Sequence, residues 1–176
     1  MLTFTFSATR KFLTFVAVAS FFYAFSTINA YAKDIVDEIL QQQEMISKLE
    51  DQFITSQRRI LSSESAYAGQ ELAYDQLVTV GNFLARTNIE LGALIRSLNL
   101  TLLVTDQRLI PHARNILDGQ KQYMVKRITS ANDFIEKSMY RIKDQETSRL
   151  MLEARDLLRT SAELVNRVQI SEPRRK

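Results

Sequence analysis

From residue 35 onward the chain repeats its apolar residues at steps of three, four and seven, the pattern of helices that each bury one face. Ile39, Ile46, Phe53 and Ile60 stand seven apart, with Ile35, Leu49, Ile54 and Leu61 beside them. Gln42, Ser56 and Ser63 fall on the partner heptad positions, so this first stripe is polar on one side. Small and helix-breaking residues from Ser62 to Gly69 then predict a turn. A second stripe runs Leu77, Leu84, Leu91 and Leu98, with Ala73, Val80 and Leu94 on the partner positions and Ile95 and Leu102 widening it.

The next break falls between Val104 and Pro111. A residue before proline is pushed away from the α region, which places Ile110 outside the helix, while Pro111 suits a first helical turn. The third stripe is Leu117, Met124, Ile128, Ala131, Ile135 and Ile142, and the fourth is Leu150, Leu157 and Leu164 with Ala154, Ser161 and Val168 and with Met151, Leu158 and Val165. Between them Lys143 to Arg149 is wholly polar, with Asp144 or Ser148 able to cap the fourth helix. No Gly or Pro lies between Gly119 and Pro173, so one continuous rod is conceivable, but the polar gap favours a hairpin.

The predicted helices are therefore 34–62, 70–104, 111–142 and 148–170, with 171–176 as a disordered basic tail. Rods of about 25–33 residues, roughly 40–50 Å long, fit side by side. Short connections make neighbours run antiparallel. The expected fold is an all-α, antiparallel up-down four-helix bundle. Acid-before-base pairs at Glu44–Lys48, Asp133–Lys137 and Glu163–Arg167 add a few tenths of a kcal/mol each.

The first 32 residues differ in kind. Seven of the ten Phe lie in the first 25 positions and no acid precedes Asp34. Arg10 and Lys11, the mostly apolar run Phe12 to Phe25, and Ala30-Tyr31-Ala32 come in the order of a secretory signal peptide, with cleavage expected before Lys33. The alternative is an uncleaved anchor. Phe12 to Ala32 is an uncharged run of 21 residues, though its second part carries Ser26, Thr27, Asn29 and two Tyr. With no Cys in the chain, no lipid can be attached to a thiol.

Absence of Cys and a single His also exclude disulfides, zinc fingers, iron–sulfur clusters and thiol catalysis. A secreted chain without Cys fits a bacterial envelope better than a eukaryotic secretory route. Residues 33–176 carry 21 basic and 20 acidic side chains, so the overall charge gives no reason to expect nucleic acid. Asn99-Leu100-Thr101 is a formal glycosylation sequon without meaning in that setting.

Chemistry is sparse. Glu71–Asp75, Asp133–Glu136 and Glu153–Asp156 are same-helix carboxylate pairs on charged faces, not carboxyls converging on a cleft. The Glu-x-x-His pairs of a bundle-held di-metal site do not occur. His112, just after Pro111, reads as a solvated or capping residue. No nucleophile elbow and no phosphate loop occurs, so the chain is not expected to be an enzyme or to use a cofactor or metal. The Leu77–Leu98 step matches a zipper but lacks a basic region before it and reads as bundle core.

Charge is distributed unevenly. Residues 33–111 hold 7 basic and 11 acidic side chains, whereas residues 112–176 hold 14 and 9. Opposite fields on two hairpins favour docking on each other. They also offer a basic outer face, Lys126, Arg127, Arg141, Arg155 and Arg159, to an acidic partner or an anionic envelope surface. Thr87, Asn88 and Thr101 place polar groups on the inward stripe of the second helix, where Asn usually fixes register. Otherwise they line a small cavity, with Arg86 or Arg96 reaching an anion.

Ser56-Gln57-Arg58-Arg59-Ile60-Leu61-Ser62 resembles the Q-R-M-L-S-type signature of the helical sensor domains of type IV pilus chemotaxis transducers and nitrate sensors. Arg59, Leu61 and Ser62 match it, Ile60 stands for the methionine and Arg58 for the glutamine. The likeness covers seven residues, lacks the preceding glycine and has no second block. It implies a periplasmic four-helix bundle that senses a small molecule, and this string together with the polar stripe of the second helix gives Arg58, Arg86 and Asn88 as the candidate cavity. The expectation ranked first is a periplasmic or secreted, non-enzymatic bundle. It would act through protein partners in the cell envelope, homo-oligomers included, and meet the membrane only through an uncleaved signal segment.

Overall fold

The computed structural model describes the backbone of residues 5–62 and 70–169, and the side chains of 33–62 and 70–169. Four helices make up this part of the chain: α1 (Thr5–Leu61), α2 (Glu71–Leu103), α3 (Ile110–Met139) and α4 (Gln145–Arg167). Among the described residues there is no strand. The turn after Ser62, the tail 171–176 and the side chains of the expected signal segment lie outside the described residues.

Each helix buries the stripe its sequence repeats. Ile39, Ile46, Phe53 and Ile60 from α1 meet Leu77, Leu84, Leu91 and Leu98 from α2 in one core, with Leu117, Met124, Ile128 and Ile135 from α3 and Leu150, Met151, Leu158 and Val165 from α4. Fully removing a Leu or Ile side chain from water is worth about 1.5–3 kcal/mol, so this core is the main reason the helices associate. Ile54 and Leu61 depart from the pattern. The periodicity sets both beside the buried row, yet both are exposed, because they stand at the outer edge of a stripe wider than α1 can bury.

The breaks follow local chemistry. α3 starts at Ile110, one residue earlier than the proline rule suggests, and Pro111 occupies the first turn, where its missing N–H costs nothing. A break at 140–144 separates α3 from α4, so the two are distinct helices. Asp144 caps α4, its carboxylate accepting from the Thr147 amide at 2.8 Å and from the Thr147 hydroxyl at 2.6 Å.

α1 packs against α2 and α4, α3 against the same two, and α2 also reaches α4. Partners descend along α4 as they climb α1: Arg167 with Glu38, Ser161 with Gln42, Arg149 with Gln52 and Asp144 with Arg59. Between α2 and α3, Phe83 and Phe134 stack edge to face at 5.5 Å, an arrangement aromatic quadrupoles favour. At Gly92 the helices α1 and α2 come close, since an added Cβ would lie 3.3 Å from Gln43 Nε2.

Candidate functional site

The basic residues of the second hairpin do not behave alike. Arg127, halfway along α3, is turned inward. Its Nη2 and Nε donate to Glu90 Oε2 at 2.6 and 3.1 Å, and the two side chains are only 15% and 17% exposed. Its Nη2 also lies 3.4 Å from Thr87 Oγ1. Arg127 therefore belongs to an α2–α3 clasp and is lost to the outer basic face. A guanidinium beside an apolar stripe finds the nearest carboxylate, and no spacing within α3 alone reveals that Glu90 stands opposite.

The other four remain on the surface in different degrees. Lys126 lies opposite the buried stripe of α3 and is exposed, and Arg141, past the end of α3, is exposed too. Neither has a side-chain partner among the described residues. Arg155 is half-buried and donates to its neighbour Asp156 at 2.9 Å. Arg159, 78% exposed, pairs with Glu163 at 3.4 Å. Both of these contacts stay within α4. Lys126 stands about 20 Å along α3 from the helix end that Arg141 follows, so these residues do not form one compact patch.

Apart from Glu90–Arg127, the ion pairs that cross between the hairpins use other arginines. Arg167 grips both oxygens of Glu38 at 2.7 and 2.8 Å, and this bonded guanidinium lowers the Glu38 carboxyl below its ordinary value. Sequence spacing pairs Glu163 with Arg167; in the structure Glu163 meets Arg159 instead, because Glu38 takes the Arg167 guanidinium. The expected Glu44–Lys48 pair forms at 2.7 Å. Arg59 runs the opposite way, from the acidic half to Asp144 and Glu146 at the start of α4. Burial pushes the Asp144 carboxyl up, but the Thr147 bonds and the Arg59 charge outweigh it and leave it below the ordinary value.

The candidate cavity does not assemble. Asn88 sits on the α1–α2 rim, where its Oδ1 accepts from Gln43 Nε2 at 3.0 Å and its Nδ2 donates to Ser47 Oγ at 2.9 Å. Arg86 is exposed and turned to Tyr123 Oη at 2.9 Å and Glu90 at 3.3 Å. Arg58 is exposed, eleven residues or about 16 Å along α1 from Ser47. These three side chains converge on no common point. Thr87 and Thr101 are buried but satisfied within α2, donating to the carbonyls of Phe83 and Ser97 at 2.8 and 2.7 Å. Asn88 thus pairs two helices in a polar contact that a shifted register would break.

Of the Gln57–Ser62 string, Arg59 clamps the α4 start and Ser62 Oγ donates to the Arg59 carbonyl at 2.7 Å. Both roles are structural. His112 is exposed. Among the described residues no three of His, Asp and Glu gather where they could hold a metal ion, and no helix is long and apolar enough to cross a membrane. Comparison with protein-family models, curated proteins and solved structures finds no match.

Proposed function

We propose that the chain is exported by its first 32 residues, which are cleaved before Lys33. The mature part is then an antiparallel up-down four-helix bundle that works without catalysis. In this reading it is an accessory or assembly factor of a bacterial cell envelope, periplasmic or secreted, acting through helix-face contact with an acidic protein partner. The antiparallel course is supported by partners that descend on one helix as they climb the next. The export reading is supported by the order of basic, apolar and small residues before Lys33.

One observation carries the contact reading. After every clasp between the hairpins is made, Lys126, Arg141 and Arg159 still point outward on the second hairpin, and Arg155 and Arg159 touch carboxylates of α4 alone. Lys126 and Arg141 therefore keep positive charge for a second molecule, and Arg155 and Arg159 share theirs only with Asp156 and Glu163 of their own helix. Exposed charges attract over about 8–10 Å at physiological ionic strength, which suits recognition of an acidic helix face.

The test is the double variant Arg155→Glu with Arg159→Glu. Capture of an envelope partner should fall and lose its salt dependence while the melting temperature stays within a few degrees of wild type. A partner captured equally well would overturn the reading. A thermal-shift screen of anions and metabolites separates it from sensing, since a ligand whose stabilisation vanishes in Arg58→Ala or Asn88→Leu would favour the sensor.

A further inference from the structure

α1 presents two rows to its neighbours. Ile39, Ile46, Phe53 and Ile60 form an apolar row, while Gln42, Leu49 and Ser56 form a mixed one. α4 carries a mixed row of its own, Thr147, Ala154 and Ser161. The two mixed rows face each other. Gln42 Nε2 donates to Ser161 Oγ at 3.1 Å and to the Leu157 carbonyl at 2.8 Å. The register that joins Gln42 to Ser161 and Arg59 to Asp144 sets Leu49 level with Ala154 and Ser56 level with Thr147.

These six positions are buried, yet they supply little apolar surface, and two of their polar atoms are unsatisfied: Gln42 Oε1 and Ser56 Oγ have no partner. Buried polar atoms without partners cost stability on folding and gain it when water reaches them. The α2–α3 seam has an orphaned atom as well, Gln76 Oε1 on the row of Phe83 and Glu90, but it is closed by the Phe83–Phe134 stack and the little-exposed Glu90–Arg127 clasp. At the α1–α4 seam the clasps Glu38–Arg167 and Arg59–Asp144 lie near the two ends and include half-exposed side chains, which salt screens.

We propose that the bundle opens along the α1–α4 seam, with the α2–α3 contact as the hinge that stays shut. Among the described residues no connection joins α1 directly to α4. Opening wets the orphaned Gln42 and Ser56 atoms and bares the facing rows of α1 and α4, while the α2–α3 contact stays covered.

The chain has no Cys, so an introduced thiol is unique. Ser56→Cys and Ser161→Cys report the seam, while Thr87→Cys and Ala131→Cys, also buried, report the rest of the core. Labelling by a thiol reagent under native conditions is normalised to the rate in denaturant. The seam thiols should react at least about tenfold faster than the controls. Raising salt from about 50 to about 500 mM should speed the seam thiols alone. Gln42→Met, added to Ser56→Cys, should slow the seam several-fold without moving Thr87→Cys. Equal rates at all four sites, meaning only global unfolding, would overturn the proposal, as would seam rates slower than the controls.

Discussion

A guanidinium drawn out of water needs a carboxylate beside it, and Glu90 supplies one to Arg127 at the α2–α3 contact. Arg127→Ala would strand the Glu90 charge in a place where little water can reach it. We expect a loss of about 2 kcal/mol, below the 3–5 kcal/mol of a fully buried pair because both side chains keep some exposure. Urea denaturation of Arg127→Ala, Glu90→Ala and the double variant checks this, and the double variant should lose less than the two singles combined. Glu50 behaves oppositely. Burial, and next the neighbouring Asp51 charge, raise its carboxyl above the ordinary value, and its Oε1 has no partner. A raised folded value means that the folded chain holds the proton more tightly than the unfolded one, so stability falls as pH rises through that window. Glu50→Gln should therefore be more stable than wild type at neutral pH. That advantage should disappear below about pH 4, where both states of the wild type are protonated. For Asp144 the sign reverses: its lowered value contributes stability that is present above the ordinary carboxylate range and lost in acid. Asp144→Ala should cost about 1–2 kcal/mol through the lost cap, with a smaller penalty at low pH.

At the scale of helices, the heptad steps of Leu77–Leu98 and of Leu150–Leu164 show in the sequence because burial demands one apolar residue per two turns. The break before α4 is legible only in part. The polar run 143–149 announces it and Asp144 offers a cap, but the gap itself is 140–144, and Gln145 to Arg149 already belong to α4, where Thr147 is buried. Which helix a polar side chain meets is not legible in the same way. Asn88 reads as a register residue, yet its partners Gln43 and Ser47 stand more than forty residues away. Arg127 resembles a surface cation because its periodicity within α3 puts it beside the stripe, and only the placement of α2 brings Glu90 to it. Ile54 and Leu61 show the limit of the pattern itself, since an apolar residue at the stripe's edge is buried only if a neighbour covers it. Gln42 is the residue to test here. Replacing it with Met keeps the length and removes the unsatisfied carbonyl, so Gln42→Met should be neutral or stabilising by up to about 1 kcal/mol. Gln42→Ala should destabilise, because it leaves a cavity against Leu157 and Ser161.

Over the whole molecule, the unequal charge of the two hairpins is partly consumed and partly left over. Glu38–Arg167 and Glu90–Arg127 consume it between the hairpins, and Arg59 to Asp144 and Glu146 runs against the trend. Lys126 and Arg141 keep theirs on the outside, and Arg159 shares its own only with Glu163 of the same helix. The most direct measurement is therefore photo-crosslinking in the intact envelope, with a photoreactive residue placed singly at Lys126, Arg141 or Arg159 and at the exposed Glu44 on α1 as control. A discrete protein adduct is expected from the second-hairpin positions, weakened when salt is raised, and none from position 44. No adduct from any position on that hairpin, or the same adducts from Glu44, would contradict the contact reading.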